Sequence, residues 1–219
     1  MNKSQILAKA EKFVRERLGE EATGHDYWHA VRVRNNARAI LGSMGEGDSL
    51  IVELAALLHD VGDFKVAQAE ENDSTIAQKF LEQQKIPPAT IKRILFIIDN
   101  LSFGKNVDLH TTSNLPIEFL IVQDADRLDA LGAIGIGRAF AYGGSCNRPI
   151  YDPNYKPNLN ITREWYVKSK TPTIQHFDEK LFKLKDMMNT AAARQIAEKR
   201  DEFMHEFYDR FLREWNGEE

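Results

Sequence analysis

The stretch Ala30-Val31-Arg32-Val33-Arg34-Asn35-Asn36-Ala37-Arg38-Ala39-Ile40-Leu41-Gly42-Ser43-Met44 sets Ala30, Val33, Ala37, Ile40, Leu41 and Met44 at steps of three and four, which line one face of an α-helix. The same spacing appears upstream at Ile6, Phe13, Val14 and Leu18. Downstream it predicts helices over 48–60; over 74–85, with Ser74 as N-cap; over 88–102, after Pro87-Pro88; and over 115–142, with a break near Gly132. Val122 and its neighbours also read as a strand, but no partner strand is evident, so the fold class is all-α. Phe177 to Trp215 carries Leu181, Leu184, Met188, Ile196, Phe203, Phe207 and Phe211, which predicts one long helix with a bend or break near Asn189-Thr190 and a core-facing stripe. Residues 143–173 open on Gly143-Gly144 and hold four of the seven prolines, Pro149, Pro153, Pro157 and Pro172. They read as a long loop, either a surface excursion or a lid.

A chain of 219 residues with 42% hydrophobic content can bury one substantial core, and no composition break calls for two domains. One domain over 1–219 is expected, with a core at about 25–130, the loop at about 143–173 and C-terminal helices at about 174–215. The net charge of −4 gives no general attraction to nucleic acid or anionic membrane and favours a small substrate. Apolar runs such as Leu54–Leu58 and Ile94–Ile98 fall far short of the roughly 18 residues that span a bilayer. Charges alternate with apolar residues through Lys3, Lys9, Glu11, Lys12 and Arg15, unlike a signal peptide, so a cytoplasmic location is expected. Cys146 is the only cysteine, which excludes an intrachain disulfide and a Cys-rich zinc site.

Four polar side chains stand out from this apolar frame: His29, the pair His59-Asp60, and Asp124. Each alone reads as readily as a structural residue. Together, two imidazoles and two carboxylates can close around one divalent cation with nitrogen and oxygen donors and no thiolate. That set suits Mn, Fe, Co, Ni or Zn and keeps Mg within reach. Neighbouring helical residues point about 100° apart, so His59 and Asp60 reach one ion only near a helix end, where the chain turns through Gly62.

Their contexts are Asp26-Tyr27-Trp28-His29-Ala30-Val31-Arg32-Val33, then Leu57-Leu58-His59-Asp60-Val61-Gly62-Asp63, then Ile121-Val122-Gln123-Asp124-Ala125-Asp126-Arg127-Leu128. In that order they resemble the HD-domain metal-dependent phosphohydrolases. The resemblance continues from Asp129 to Phe140 and from His176 to Leu184, and is nearest to a bacterial subfamily of small HD hydrolases. It implies an HD-type helical bundle in which His29, His59, Asp60 and Asp124 bind the metal. It also implies that Asp63 orients or deprotonates the attacking water, the other reading of Asp63 being a surface turn residue. Two-metal relatives use further histidines between the His-Asp pair and the last Asp, whereas here only His110 lies between them, and Leu101 stands where some relatives have His. One divalent ion is therefore expected, with Mn or Mg favoured physiologically.

Around this centre, His25 is a candidate to protonate the leaving group, with an ordinary pKa of about 6.5. Asp26 reads as a support for the centre or as an N-cap. Lys65 is placed to contact phosphate oxygens or to be a solvated lysine. Asp126 and Arg127 would support Asp124 or touch phosphate, and Arg32 is a similar candidate. His176, Lys180 and Lys183 share helical spacing and would form the far wall of an anionic pocket. His110 and His205 lie outside the motifs and are expected to be exposed.

The implied function is a metal-dependent phosphohydrolase acting on a small phosphorylated molecule, a nucleotide above all, with cleavage of a nucleoside triphosphate to monophosphate and pyrophosphate favoured. The alternatives are a nucleotidase or phosphodiesterase of the same fold, or a metal- or nucleotide-sensing module without turnover.

Overall fold

The computed structural model describes residues 2–19, 24, 26–62, 72–101, 114–159 and 170–218. Among the described residues there are nine α-helices and two short 3-10 turns, and no strand, so the fold is all-α. The chain divides into two compact units, Met1–Asp126 and Arg127–Glu219.

In the first unit, α1 (Lys3–Leu18) starts from a capping box in which Asn2 and Gln5 satisfy each other's backbone N–H groups. It buries Ile6, Leu7, Ala10, Val14 and Leu18. The second helix, α2 (Tyr27–Met44), buries Ala30, Val33, Ala37 and Ile40 and stops at Gly45, whose left-handed backbone lets its N–H reach the Leu41 carbonyl at 3.0 Å. In α3 (Ser49–Leu58), every residue from Ile51 to Leu58 is buried. A helix apolar on all sides belongs at the centre of a unit, and α3 packs against α1, α2 and α5 (Pro88–Asn100). Glu53 is the polar exception on α3, and Lys3 and Arg34 each meet it at 2.8 Å.

Two boundaries differ from the sequence reading. The cap of α4 (Asp73–Gln83) is Asn72, not Ser74: the Asn72 side chain accepts the Thr75 N–H at 2.9 Å, and the Ser74 hydroxyl donates to the same oxygen at 3.1 Å from within the helix. The 115–142 segment forms α6 (Ile117–Asp129) and α7 (Gly132–Ser145), broken at Ala130-Leu131 as expected near Gly132. Gly132 sits at φ +70°, a conformation that favours glycine, so its role is at the break itself.

In the second unit, α7 packs against α9 (Ala191–Trp215), which Thr190 caps by accepting the Ala193 N–H at 3.2 Å. The break expected near Asn189-Thr190 is present, but the chain before it is not one helix. It consists of the single-turn α8 (Gln175–Glu179) and 3-10 turns at Leu181–Lys183 and Lys185–Met187. Phe177, Leu181, Leu184 and Met188 are all buried, at a spacing that successive tight turns satisfy as well as a helix does. Freed carbonyls find arginines instead: Arg127 donates to Met187 and Arg194 to Met188. Because α7 runs to Ser145, the loop begins at Cys146, an exposed free thiol. Among the described residues no helix is long and apolar enough to cross a membrane.

Candidate metal centre

Asp26 has extended backbone and its side chain accepts the His29 N–H at 2.8 Å. It is therefore the N-cap of α2, and it places His29 in the first turn of that helix with the imidazole buried. His59 follows the last residue of α3, and its Nδ1 lies 2.9 Å from the Ala56 carbonyl. A carbonyl only accepts, so Nδ1 carries the proton and Nε2 of the neutral ring presents its lone pair. The turn after Asp60 is held by Arg17 Nε donating to the Val61 carbonyl and by the Gly62 N–H donating to Asp73, both at 2.6 Å. A Cβ on Gly62 would lie 2.6 Å from the Asp73 backbone nitrogen, so only glycine lets this turn lie against the start of α4.

These elements converge. His29 Nε2 stands 3.2 Å from His59 Nε2, 3.3 Å from Asp60 Oδ2 and 3.5 Å from Asp126 Oδ1. His59 Nε2 is 3.5 Å from Asp60 Oδ2 and 3.8 Å from Asp126 Oδ1. Donors about 2.1 Å from a shared ion stand about 3.4 Å apart at tetrahedral angles and about 3.0 Å apart at right angles. The observed separations lie in and slightly above that range, so these side chains fit a single metal ion, and His29, His59 and Asp126 form a cluster that could hold one. The imidazoles are buried, while the Asp60 and Asp126 side chains keep 20% and 34% of their surface exposed, so solvent reaches the centre on its carboxylate side.

The α6 carboxylate beside the imidazoles is thus that of Asp126, a correction to the expectation of Asp124. Asp124 is fully buried, and a step of two residues on a helix turns a side chain through about 200°. Ile121, Asp124, Ala125 and Leu128 stand at i, i+3, i+4 and i+7, which puts Asp124 on the buried stripe. That signal was present in the sequence. His25, Asp63 and Lys65 lie outside the described residues.

Three further candidates belong to the second unit. Arg127 is buried and donates Nη1 to the Met187 carbonyl, which spends that nitrogen on the chain turn rather than on phosphate. Lys180 follows α8, and Lys183 donates to the Leu159 carbonyl at 2.6 Å. Burial, then the charges of Lys180 and Arg148, push His176 down to about 3. Near neutral pH it is an uncharged hydrogen-bonding group, not a cation for the wall of an anionic pocket. His205 is exposed as expected, stacked on Phe182 with ring centroids 3.9 Å apart, and His110 lies outside the described residues.

The HD domain family model matches residues 27–131, the span from the first residue of α2 through the α6–α7 break. Bacillus subtilis YpgQ is 36% identical over 190 residues, covering 87% of this chain and 84% of that protein. The chain belongs to the HD superfamily. A crystal structure from Lactobacillus plantarum matches this HD protein with a TM-score of 0.83 at 37% identity, covering 99% of this chain and all of that one. An HD-superfamily hydrolase from Bacillus thuringiensis matches at 40% identity and a TM-score of 0.75, covering 98% and 99%. The crystal structure of YpgQ in complex with ADP matches at 33% identity and a TM-score of 0.71, covering 97% of each chain. HD domains bind divalent metals, in keeping with the donor cluster formed here by two buried imidazoles and an α6 carboxylate.

Proposed function

We propose that this HD hydrolase is a metal-dependent phosphohydrolase that cleaves a nucleoside triphosphate to monophosphate and pyrophosphate. The observation that carries the reading is the approach of His29 Nε2, His59 Nε2, Asp60 Oδ2 and Asp126 Oδ1 to within 3.2–3.8 Å across the five measured pairs. Binding of ADP by YpgQ supports a nucleotide carrying a phosphoanhydride.

Two imidazoles with two carboxylates favour Mn over Mg, with one ion bound. When bound, that ion supplies Lewis acidity toward phosphoryl oxygens and lowers the pKa of a coordinated water. The chain does the rest. Asp26 and the Ala56 carbonyl fix the two imidazoles before substrate arrives, so the donors need little reorganisation. Asp63, three residues beyond Asp60, is assigned to orient the water and take its proton. The water oxygen bonds to the α-phosphorus, the α–β bridging bond breaks, and pyrophosphate leaves, with His25 assigned to protonate it. Lys65 and Lys180 are assigned to the phosphate chain, Arg127 with only its remaining nitrogens, and His176 to a neutral hydrogen bond.

The test is hydrolysis of nucleoside mono-, di- and triphosphates by the Mn-loaded protein in ¹⁸O-labelled water. Label in the monophosphate, with pyrophosphate released, is expected. Orthophosphate alone, or intact triphosphate with free nucleoside, refutes the cleavage position, and no turnover of any nucleotide with ADP still bound would make the protein a sensor.

A further inference from the structure

We propose that Gln175 and Glu179 hold a monovalent alkali cation, at a site within the Arg127–Glu219 unit and made of residues separate from the His–Asp centre. Both residues lie on α8 four positions apart, so their side chains stand one turn apart on one face. Both are almost wholly buried, at 3% and 1% exposure. Glu179 Oε1 accepts the Tyr155 hydroxyl at 3.0 Å and the Asn158 N–H at 2.9 Å. Gln175 Nε2 donates to the Asp152 carbonyl at 2.5 Å, a bond that fixes which end of the amide is oxygen.

What remains is two oxygens, Gln175 Oε1 and Glu179 Oε2, both buried and without a hydrogen-bond partner. Both are acceptors, so neither can satisfy the other while Glu179 is ionised. A buried carboxylate needs a counter-charge, and no described cation forms an ion pair with Glu179. The shared need of these oxygens is a compact positive ion. A carboxylate and an amide oxygen are hard donors, which exclude soft metals. One carboxylate balances one positive charge, whereas calcium sites gather several carboxylates, so Na⁺ or K⁺ fits the charge count.

The ion would have a mechanical effect. Asp152, Tyr155 and Asn158 belong to the segment after α7, and all three bond to Gln175 or Glu179. Neutralising Glu179 therefore holds that segment to α8.

The test is thermal melting of the full-length, Mn-saturated protein at pH 7.5 in KCl, NaCl or N-methylglucamine chloride of equal ionic strength. K⁺ or Na⁺ should raise Tm by about 3–5 °C for each tenfold rise above its dissociation constant. Glu179→Gln, which keeps the shape but removes the charge, should abolish that dependence. Wild-type crystals soaked in thallium(I), a potassium mimic, should show an anomalous peak beside Gln175 Oε1 and Glu179 Oε2, a readout independent of how the variant folds. Equal melting in the three salts, or no thallium at this position, overturns the proposal. So does stabilisation that follows acidification instead of the cation, because it would place a proton on Glu179.

Discussion

Glu53→Gln is the substitution that probes most directly how the frame of the first unit is held. Glu53 sits on α3 and meets Lys3 of α1 and Arg34 of α2, each at 2.8 Å, with Arg38 at 3.9 Å. Burial by itself would raise its pKa, but hydrogen bonds and charge from Lys3 and Arg34 together outweigh it and hold the carboxyl below the usual 4.5. Breaking a buried ion pair from one side costs about 3–5 kcal/mol. Two features lower that figure. Lys3 keeps 43% of its side chain exposed, so water screens its share, and Arg34 retains Glu11 at 2.9 Å. We expect a loss of about 2–3 kcal/mol at pH 7, or about 4–12 °C in Tm. Because the folded pKa is depressed, the contribution is complete above the unfolded value of 4.5 and is lost as pH falls through the folded value. Urea unfolding of wild type and variant from pH 7 to pH 3 should show the gap closing below 4.5. A gap under about 0.5 kcal/mol at pH 7, or one that stays constant with pH, would refute the reasoning.

Gly62→Ala forces a Cβ to within 2.6 Å of the Asp73 backbone nitrogen, and it should cost about 1–3 kcal/mol in melting experiments while weakening Mn binding measured by titration. Asp63→Asn should lower kcat by roughly 10²–10⁴-fold with metal content near wild type, whereas Asp60→Ala should lose the metal as well; unimpaired turnover in the Asp63 variant would make that residue a surface turn. His176 is neutral in the folded state down to about 3, so its contribution is present above the unfolded 6.5 and fades as pH falls toward that lower value. Relative to His176→Gln, wild type should lose about 1 kcal/mol of stability per pH unit below 6.5, and parallel pH profiles of the two proteins would contradict this.

Much of the helical frame was legible because burial follows the helical repeat: Ile6, Val14 and Leu18, then Ala30, Val33, Ala37 and Ile40, are buried where the sequence puts them on one face. The start of α5 was legible for a covalent reason, since Pro88 presets the backbone of a first turn. Asn72 and Ser74 are both good capping types two positions apart, and only the direction of the Asn72 side chain separates them. Between Phe177 and Met188 the apolar spacing suits an α-helix and successive 3-10 turns alike, and carbonyl partners distant in sequence, Arg127 among them, accompany the turns. At the metal centre, His29 and the His59-Asp60 pair come together as their motifs imply. The choice between Asp124 and Asp126 turned on helix phase: Asp124 shares the stripe of Ile121, Ala125 and Leu128, and Asp126 faces the imidazoles. The orphaned oxygens of Gln175 and Glu179 could not be read from sequence at all, because they depend on which donors the folded chain leaves out of reach.

The account's central claim is that one ion sits among His29, His59, Asp60 and Asp126. Anomalous diffraction at the Mn edge from crystals of the Mn-loaded protein tests it directly. The account predicts a single peak about 2.0–2.3 Å from His29 Nε2, His59 Nε2 and one oxygen each of Asp60 and Asp126, with Asp124 outside the coordination sphere. A peak ligated by Asp124 in place of Asp126, two peaks in the centre, or an ion bound elsewhere with these four side chains turned apart would contradict it.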